Sequence, residues 1–418
     1  MRYCKHLRIA LMILAFHLGL VQLSWAWLHI APSISVREEY NDNIFLTPSD
    51  KESDFITTIR PYINLSAETD YLKLSLDYGL DVILYIHNPD ENETSLKGAQ
   101  RINLDTTLSP YKDIFFIKIS DVYQRVSIDE REQVAYDNTF VNMTDSNKFF
   151  FNPYVEYPLS GTVKARLSYS YGNIWYSEDT GNNAESHLAS LSIIKELSAK
   201  LTGTVSYDYL LYRPTNNERQ FNEAYDRQTP RLQLRYALGP NFTIEGGIGQ
   251  TWFDFERSED RDFFLWNILA QYKVTENISI GAGYAVDFLD SVQDGTYENK
   301  VATGTASYTG KIPLHLTVFK KDDTYLSTDR EDESTGVILG TTMPITAKID
   351  GSLNGRYTKY KFLPEDEKTD RYGIQIQFAY KLKRTVFSLG YTYNQNDSNF
   401  DDNDYKNNIV WAQVSLEL

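Results

Sequence analysis

Cysteine is almost absent from the chain, and histidine is scarce. The 418 residues contain one cysteine, Cys4, which precedes the first apolar segment, and 6 histidines. Once that segment is removed, no thiol is left for a disulfide, a thiolate metal site or a cysteine nucleophile. The histidines that follow it are far apart and form no zinc-binding motif such as H-E-x-x-H: His29, His87, His187 and His315. We therefore expect no catalytic metal, no cofactor and no enzymatic activity.

Positive charge and long apolar runs are limited as well. The chain has 41 Lys and Arg against 57 Asp and Glu, a formal net charge of -16. This balance argues against nucleic acid as a partner, because neutralising phosphates requires clustered Lys and Arg. A mean hydropathy of -0.43 is too polar for a bundle of membrane helices. Aromatic residues, by contrast, make up 14% of the chain and include 31 Tyr, which indicates a folded protein and not a disordered one.

The amino terminus has the pattern of a secretory signal. Arg2, Lys5 and Arg8 precede an apolar run over residues 9–23, and Ser24-Trp25-Ala26 supplies small residues at a cleavage site. The run falls short of the roughly 20 residues that a membrane span requires. The pattern predicts a signal peptide over residues 1–26 and a barrel domain over residues 27–418. It also leaves no room for a plug domain before the first strand.

Apolar and polar residues alternate with period two through the mature chain. In residues 72–84 one parity carries Leu72, Leu74, Leu76 and Tyr78, and the other carries Lys73, Ser75, Asp77 and Gly79. The same division recurs in residues 163–172, 278–288 and 372–380. Strict alternation over such lengths indicates strands with one apolar face that are longer than the strands of most soluble proteins.

Short and long connections alternate between these strands. The short ones are residues 68–70, 109–113, 158–161, 239–241, 275–277, 310–313 and 383–384, and the long ones are residues 88–94, 125–146, 213–223, 256–262, 322–333 and 395–406. Outer-membrane barrels have this asymmetry, with tight periplasmic turns and longer external loops. We predict an all-β, transmembrane, antiparallel up-and-down β-barrel of about 20 strands (18 to 22). Residues 408–418 should close it against the first strand near Ile34 and Val36.

Tyrosines are frequent at the predicted strand ends, where interfacial girdles are expected. They include Tyr40, Tyr71, Tyr85, Tyr111, Tyr157, Tyr176, Tyr272 and Tyr308. Ordinary cross-strand packing is the alternative explanation of these positions.

The polar parity supplies candidate lumen-lining residues. They are Lys73, Asp77, Asp81, Arg101, Asp105, Lys164, Arg166, Arg231, Arg235, Glu245, Lys273, Asp350 and Arg356. A barrel of about 20 strands encloses an aqueous channel unless loops fill it. The alternative is that these charges form salt bridges across a filled lumen.

The connection over residues 125–146 is the longest, and it is the third external one. In diffusion porins the third external loop folds inward, and by analogy this one would constrict the lumen and select solutes by charge. The alternative is a mobile, solvated loop. The predicted constriction residues are Asp129, Glu130, Glu132 and Asp137, facing Arg231 and Arg235. Acidic runs in the external loops could also hold divalent cations that bridge lipopolysaccharide, or they are simply solvated.

The early part of the mature chain resembles a known family. Tyr40-Asn41-Asp42-Asn43-Ile44-Phe45, then Ser53-Asp54, Pro61 to Leu65 and the strand from Tyr71 to Tyr85 are similar to the start of a family of outer-membrane β-barrel porins whose members often lie beside exopolysaccharide or exosortase loci. The resemblance implies a Gram-negative bacterial outer-membrane barrel involved in polysaccharide export or surface display. It supplies no residue-level functional motif.

Three functions follow as hypotheses. The favoured one is a passive aqueous conduit for an exported exopolysaccharide, and the others are a general or solute-selective diffusion porin and a non-conducting structural or adhesion barrel. Export favours a wide lumen with aromatic and amide groups, whereas a diffusion porin favours a narrow, charged constriction. Expected partners are outer-membrane lipid and lipopolysaccharide, the barrel assembly machinery and components of polysaccharide export.

Overall fold

Antiparallel strands make up nearly all of the regular structure. The computed structural model describes residues 28–111, 113–138, 140–216 and 222–418, so the predicted signal peptide lies outside the described residues. The strands are β1 Leu28–Asn41, β2 Asp54–Glu68, β3 Leu72–Leu80, β4 Val82–Tyr85, β5 Gln100–Tyr111, β6 Phe115–Ser127, β7 Met143–Ser160, β8 Val163–Tyr176, β9 Ala184–Ser198, β10 Leu201–Pro214, β11 Tyr225–Ala237, β12 Phe242–Phe255, β13 Arg261–Lys273, β14 Ile278–Asp290, β15 Thr296–Tyr308, β16 Leu314–Tyr325, β17 Glu331–Pro344, β18 Ile349–Leu363, β19 Glu367–Leu382, β20 Thr385–Ser398 and β21 Tyr405–Glu417.

Helical structure is confined to short turns. One turn of α-helix covers Leu96–Ala99, and 3-10 turns cover Pro89–Glu91 and Asp401–Asn403. In the part of the chain that the structure describes, no helix has the length and apolar character needed to cross a membrane.

The strands form one closed ring. Apart from β4, each strand pairs with its neighbours in chain order, and β1 pairs with both β2 and β21. The ring has 20 strands, and β4 is an additional short strand that pairs with β2. Ile34 faces Leu416 and Val36 faces Val414 at the closure. The predicted fold class, strand number and closing strand are therefore confirmed.

One predicted strand is interrupted. Residues 72–84 were expected to form a continuous strand, but β3 ends at Leu80 and β4 begins at Val82. The intervening Asp81 donates its backbone N–H to the carbonyl of Ala99 at 2.7 Å. Its carboxylate binds Arg60 and Arg101, the latter at 3.4 Å. This contact with the end of the α-helical turn takes the place of a ladder between β4 and β5.

The alternation of the sequence corresponds to the two faces of the wall. In β19 the outward face carries large apolar residues, among them Tyr372, Ile374 and Phe378, of which Phe378 is 51% exposed. The inward face carries Arg371 and Gln375. Because successive side chains of a strand point to opposite faces, each strand needs only this alternation to set one face toward lipid and one toward the interior.

The predicted tyrosine girdle divides into two groups. The tyrosines on the outward face are exposed: Tyr40, Tyr71, Tyr111, Tyr157, Tyr272 and Tyr308. Tyr85 and Tyr176 are instead buried, at 5% and 3% exposure. They lie on the inward face of strand ends and pack inside the barrel, which corrects their assignment to the girdle.

The two ends of the barrel differ. Turns such as 69–71, 199–200 and 383–384 lie at one end, which also holds Leu28 and Glu417 and is called the short-turn end below. The longer connections lie at the other, the long-loop end. Two buried apolar clusters lie at the long-loop end of the strands, one around Tyr225 and Phe253 and one around Ile44 and Ile83. Outer-membrane barrels place such long loops outside the cell.

Asparagine and aspartate side chains join the first strand to the last at the long-loop end. The side-chain nitrogen of Asn407 donates to Asn41 Oδ1 at 2.5 Å and to the carbonyl of Asn43 at 3.1 Å. Asn43 donates in turn to the carbonyl of Lys406 at 3.1 Å. Asp42 accepts from both the backbone and side-chain nitrogens of Asn408 at 2.7 Å. We call Asn41, Asp42, Asn43, Asn407 and Asn408 the closure clasp.

Candidate functional site

The thirteen predicted lumen-lining residues lie on the polar face of the wall, opposite the exposed apolar residues. Most pair with a neighbouring inward-facing charge. The contacts are Lys73–Glu68 at 3.1 Å, Asp105–Lys118 at 3.1 Å, Lys164 and Arg166 to Glu156 at 3.3 and 2.5 Å, Arg231–Asp287 at 3.4 Å, Arg235–Glu245 at 3.0 Å, Asp81–Arg101 at 3.4 Å and Asp350–Lys381. Asp77 accepts from Asn64 at 2.7 Å, and Arg356 donates to Tyr360 at 3.3 Å.

Lys273 is the last of the thirteen predicted lumen-lining residues, and it is exposed on the inward face of β13. A cavity of about 520 Å³ lies at the short-turn end, lined by Lys73, Asp105 and His29 among others. The barrel wall is therefore polar and mixed in charge on its inner face, with opposite charges placed side by side.

The connection from β6 to β7, loop 128–142, folds from the long-loop end toward the inner face of the barrel wall. It is shorter than the predicted 125–146, because β6 extends to Ser127 and β7 begins at Met143. Its base is a hairpin in which Ile128 N–H donates to the carbonyl of Asn142 at 3.0 Å. Asn142 has a φ of 51°, a conformation that asparagine tolerates better than most residues, and its side chain donates to the Asp129 carbonyl at 2.6 Å.

Two aromatic side chains anchor the middle of this loop to the inner wall. Phe140 contacts Phe45 and Tyr85 edge to face, with ring centroids 5.4 and 5.7 Å apart. Tyr136 lies over Gly373 of β19, where an added Cβ would stand 2.3 Å from Tyr136 Cε2. Glycine at this inward position makes room for the ring, since any larger residue would displace it.

Amide groups hold the backbone of Tyr136 on the opposite side. Tyr136 N–H donates to Asn394 Oδ1 at 3.0 Å, and Asn394 Nδ2 donates back to the Tyr136 carbonyl at 3.1 Å. Tyr405 O–H donates to the carbonyl of Val134. Asn394 and Tyr405 belong to β20 and β21, so the loop reaches strands that are several positions away from β6 and β7 in the ring.

The acidic residues of the loop contact arginines of the wall. Glu130 accepts from Arg371 at 3.2 Å, and the same guanidinium donates to the carbonyl of Glu132 at 3.2 Å. Asp137 forms an ion pair with Arg37 at 3.2 Å and accepts from the Thr392 hydroxyl at 3.0 Å. The carboxylates of Glu130 and Asp137 are thus neutralised by bases of β19 and β1.

Asp129 contacts the residue that is farthest around the ring from its own loop. Its carboxylate accepts from Arg330 at 3.0 Å and from Arg131 at 2.7 Å. Arg330 lies between β16 and β17, half-way around the ring from the β6–β7 hairpin. Arg330 also donates to Asp294 at 2.5 Å and to Asp332 at 2.9 Å. The loop is therefore fixed on both sides of the barrel mouth.

Burial and charge act in opposite directions on the pKa values of these groups. Burial raises the pKa of Asp129, but the hydrogen bonds from Arg131 and the charge of Arg330 lower it by more, so its net pKa lies below the usual range. For Arg330, burial lowers the pKa and the contacts with Asp332 and Asp129 raise it, with a net increase. Burial raises the pKa of Tyr136. The Asp129–Arg330 pair is therefore ionised at neutral pH.

The partners of the four acidic residues differ from those predicted. Arg231 and Arg235 were expected to face them, but these arginines pair with Asp287 and Glu245. The bases in contact are Arg37, Arg330 and Arg371. Arg37 and Arg371 lie on the inward parity of β1 and β19, and extending the alternation beyond Tyr372 would have found Arg371. Arg330 lies in a connection, where no periodic signal exists.

Among the described residues, the carboxylates of the long loops form no cluster that could hold a metal ion. In residues 28–418, apart from the positions that the structure leaves undescribed, no group of three or more His, Cys, Asp and Glu is arranged to hold a metal ion. Asp129 and Glu130 have arginine partners instead.

A sequence match to a known family covers the carboxyl-terminal strands. Residues 333–418 match the family described as Putative beta-barrel porin 2. The match covers β18 to β21 and most of β17, whereas the resemblance seen in the sequence began at Tyr40. These two regions meet in the ring, because β21 pairs with β1. No curated protein matches the chain in sequence.

Solved structures share the fold with low sequence identity. A mutant of the ferric enterobactin receptor PfeA from Pseudomonas aeruginosa is 8% identical, with a TM-score of 0.51, over 93% of this chain and 80% of that chain. The FrpB iron transporter from Neisseria meningitidis (F3-3 variant) is 8% identical, with a TM-score of 0.50, over 93% and 81%. At this identity they show the fold alone. Together with the family match over residues 333–418, they show a β-barrel of the outer-membrane type with a porin-like fold.

Proposed function

We propose that this chain is a diffusion porin of the bacterial outer membrane, which admits small hydrophilic solutes and limits them by size. The observation that carries the proposal is loop 128–142. It crosses the long-loop end and is held on the far side by the Asp129–Arg330 contact of 3.0 Å. A loop in this position narrows the passage, which is the feature expected of a diffusion porin.

The charge pattern supports size over charge as the basis of selection. Inward-facing charges lie next to their opposites, as in the Arg235–Glu245 and Lys118–Asp105 pairs. The loop carboxylates are matched by Arg37, Arg330 and Arg371. Because rings of one sign of charge are what give a pore strong ion selectivity, we expect a weak preference between cations and anions.

Export of an exopolysaccharide, the function favoured by the resemblance, stays a prediction. A polymer would need loop 128–142 to leave its position, and the amide and aromatic groups near it, such as Asn394 and Tyr405, are occupied by the loop itself. We do not propose a catalytic activity for this chain. Outer-membrane lipid, lipopolysaccharide and the barrel assembly machinery remain the proposed partners.

The test is the conductance of a shortened loop. Replacing Glu130–Val141 with Asn-Gly joins Asp129 to Asn142 by a two-residue hairpin turn, which suits the strand twist. In planar bilayers we expect measurable single-channel conductance from the native chain and a larger value from the shortened one. Uptake of sugars of increasing size into liposomes should show a higher size limit for the shortened chain.

The matched control shortens residues 256–260 instead. That connection forms hydrogen bonds with Asn222, Glu223 and Ala224 of the neighbouring connection, so it should leave conductance unchanged. Equal conductance of the native and the Asn-Gly chains would refute the constriction. If neither chain conducts although each is shown to be folded, the porin function is refuted and a structural barrel is favoured.

A further inference from the structure

The pairing between β13 and β14 stops half-way along the barrel wall. β14 pairs with β13 from Ser279 to Ala285, where Ala285 faces Asn267. β13 continues to pair with β12 as far as Arg261, and β14 continues to pair with β15 as far as Asp290. Residues 261–290 are all described, and within them the two strands run on without each other. In a closed barrel the neighbouring strand normally satisfies these backbone groups.

Beyond this point β14 lies inside the barrel. Val286 and Phe288 have the parity of the outward-facing Ile280, yet they are 6% and 8% exposed. The Phe288 ring packs edge to face on Phe253 and Phe263, with centroids 4.8 and 5.0 Å apart. Phe253 and Phe263 occupy inward-facing positions of β12 and β13. The outward face of upper β14 therefore covers the inner face of its neighbours, and it closes the apolar cluster around Tyr225.

Polar contacts with residues 180–182 and with Arg330 hold the tip of the β14–β15 hairpin, and below the tip the Thr296 hydroxyl donates to the Tyr225 hydroxyl at 3.5 Å. Asn182 N–H donates to the carbonyl of Val292 at 2.7 Å. Gln293 donates to the Thr180 hydroxyl at 3.0 Å, and Asp294 accepts from Arg330. We call residues 286–297 the flap. It lies on one side of the mouth, loop 128–142 lies on the other, and both contact Arg330.

The sequence just beyond the break is compatible with continued pairing. Continuing the register from Asn267–Ala285 would place Val286 beside Trp266, Asp287 beside Leu265 and Phe288 beside Phe264. Trp266 and Phe264 are outward-facing, at 41% and 58% exposure. Val286 and Phe288 would then face lipid, as the alternation predicts. Their apolar side chains would move from one apolar environment to another, while Asp287 would keep facing the lumen.

We propose that the flap is a movable gate, which occupies the lumen in this structure and widens the passage when it pairs with β13. The proposal rests on the proposed porin function for its conductance, but the movement itself does not depend on it. Pairing would satisfy the backbone groups of both strands, and it would break the polar contacts of the tip, the contact between Thr296 and Tyr225, and the aromatic packing of Phe288.

Disulfides test the two positions, in a chain with Cys4 replaced by Ser. Leu265→Cys with Asp287→Cys joins the strands in the paired register, since the two positions would be directly opposite. Thr180→Cys with Gln293→Cys fixes the flap inside. Ser168→Cys with Ser190→Cys is the control, because these residues already face each other in the continuous β8–β9 ladder. Asp287→Cys alone controls for loss of the Arg231 ion pair.

We expect the Leu265–Asp287 cysteine pair to oxidise in the folded barrel and to raise single-channel conductance, with the original value restored by a reductant. The Thr180–Gln293 pair should keep conductance at or below that of the native chain. A Leu265–Asp287 pair that stays reduced while the control pair oxidises would overturn the proposal. So would a disulfide that forms and leaves conductance unchanged.

Failure of the porin function has a separate signature. If no variant conducts, including the chain with the Asn-Gly turn, the porin is refuted. The flap is then judged by the yield of the Leu265–Asp287 disulfide alone. A high yield supports movement into the wall, and no yield beside an oxidised control overturns it.

Discussion

Replacing Arg330 with alanine should destabilise the long-loop end through the charges it leaves behind. The Arg330 side chain is 6% exposed and donates to three carboxylates: Asp129 at 3.0 Å, Asp294 at 2.5 Å and Asp332 at 2.9 Å. Removing one partner of a buried ion pair typically costs about 3–5 kcal/mol, because the remaining charge is uncompensated. Arg131 stays beside Asp129 at 2.7 Å. We therefore expect the lower end, about 3 kcal/mol.

The measurement is urea-induced unfolding of the refolded chain in micelles, followed by tryptophan fluorescence. The matched control is Arg235→Ala, which removes an ion pair of similar length, 3.0 Å, whose side chains are 68% and 42% exposed. Exposed pairs contribute about 0.2–1 kcal/mol. Arg330→Ala should also make loop 128–142 sensitive to protease in the folded barrel, and Arg235→Ala should not.

A double-mutant cycle separates the Asp129 contact from the other two. Asp129→Asn, Arg330→Ala and the double variant should give a coupling energy of at least about 1 kcal/mol, as expected for residues in one ion-pair network. If Arg330→Ala costs no more than Arg235→Ala, or if the coupling is zero, the loop is not held by this contact.

Further measurements examine the loop, the two faces of the wall and the clasp. The Asp129 pKa is lowered in the folded chain, so its stabilisation is complete above the unfolded value of about 3.9 and is lost as pH falls through the lower folded value. Conductance should stay constant from neutral pH to about pH 5 and rise only below about pH 4, and Asp129→Asn should abolish that rise; an increase near pH 6 would contradict this origin. Gly373→Ala should displace Tyr136 and raise conductance, whereas Gly355→Ala, with open space around its Cβ, should change nothing. Leu76→Arg should cost about 2–4 kcal/mol on the lipid face, while Ser75→Arg on the inner face should be tolerated; equal losses would mean that the faces are misassigned. Asn43→Ala should lower unfolding free energy by about 1–3 kcal/mol, because Asn43 is fully buried and its partners lose their hydrogen bonds, whereas the exposed Asn241→Ala should have no effect.

The alternation of the sequence was sufficient to predict the ring. In a membrane barrel the apolar and polar residues of each strand identify its lipid-facing side and its inner side without reference to other strands. The strand pair β1–β21 followed from closure alone. What alternation does not encode is where a ladder stops. Val286 and Phe288 have outward parity, and they turn inward where Phe288 packs on Phe253 and Phe263, which belong to earlier strands. Asp81 interrupts a regular strand through the carbonyl of Ala99 for the same kind of reason.

The loop site was predictable in location but not in its partners. Length and acidity singled out residues 125–146, and Asp129, Glu130 and Asp137 do make the contacts that cross the mouth. Glu132 takes part through its backbone carbonyl, which no reading of side-chain type would suggest. The role of Arg330 depends on two loops that are half a ring apart, and nothing in its local sequence marks it.

The closure clasp has a consequence for the order of events during biogenesis. Asn41 and Asn43 lie at or just after the end of the first strand, and Asn407 and Asn408 lie in the last strand, more than 360 residues later. Contacts between such distant positions form late, because they require the loss of much chain entropy. Until the final strand joins the sheet, the side chains of Asn41 and Asn43 have no partners from β21, and the edges of β1 and β20 are open to other chains. A barrel that lacks β21 would therefore be a sheet with two free edges, prone to misassembly, so the pairing of β21 with β1 determines when the sheet becomes a closed cylinder.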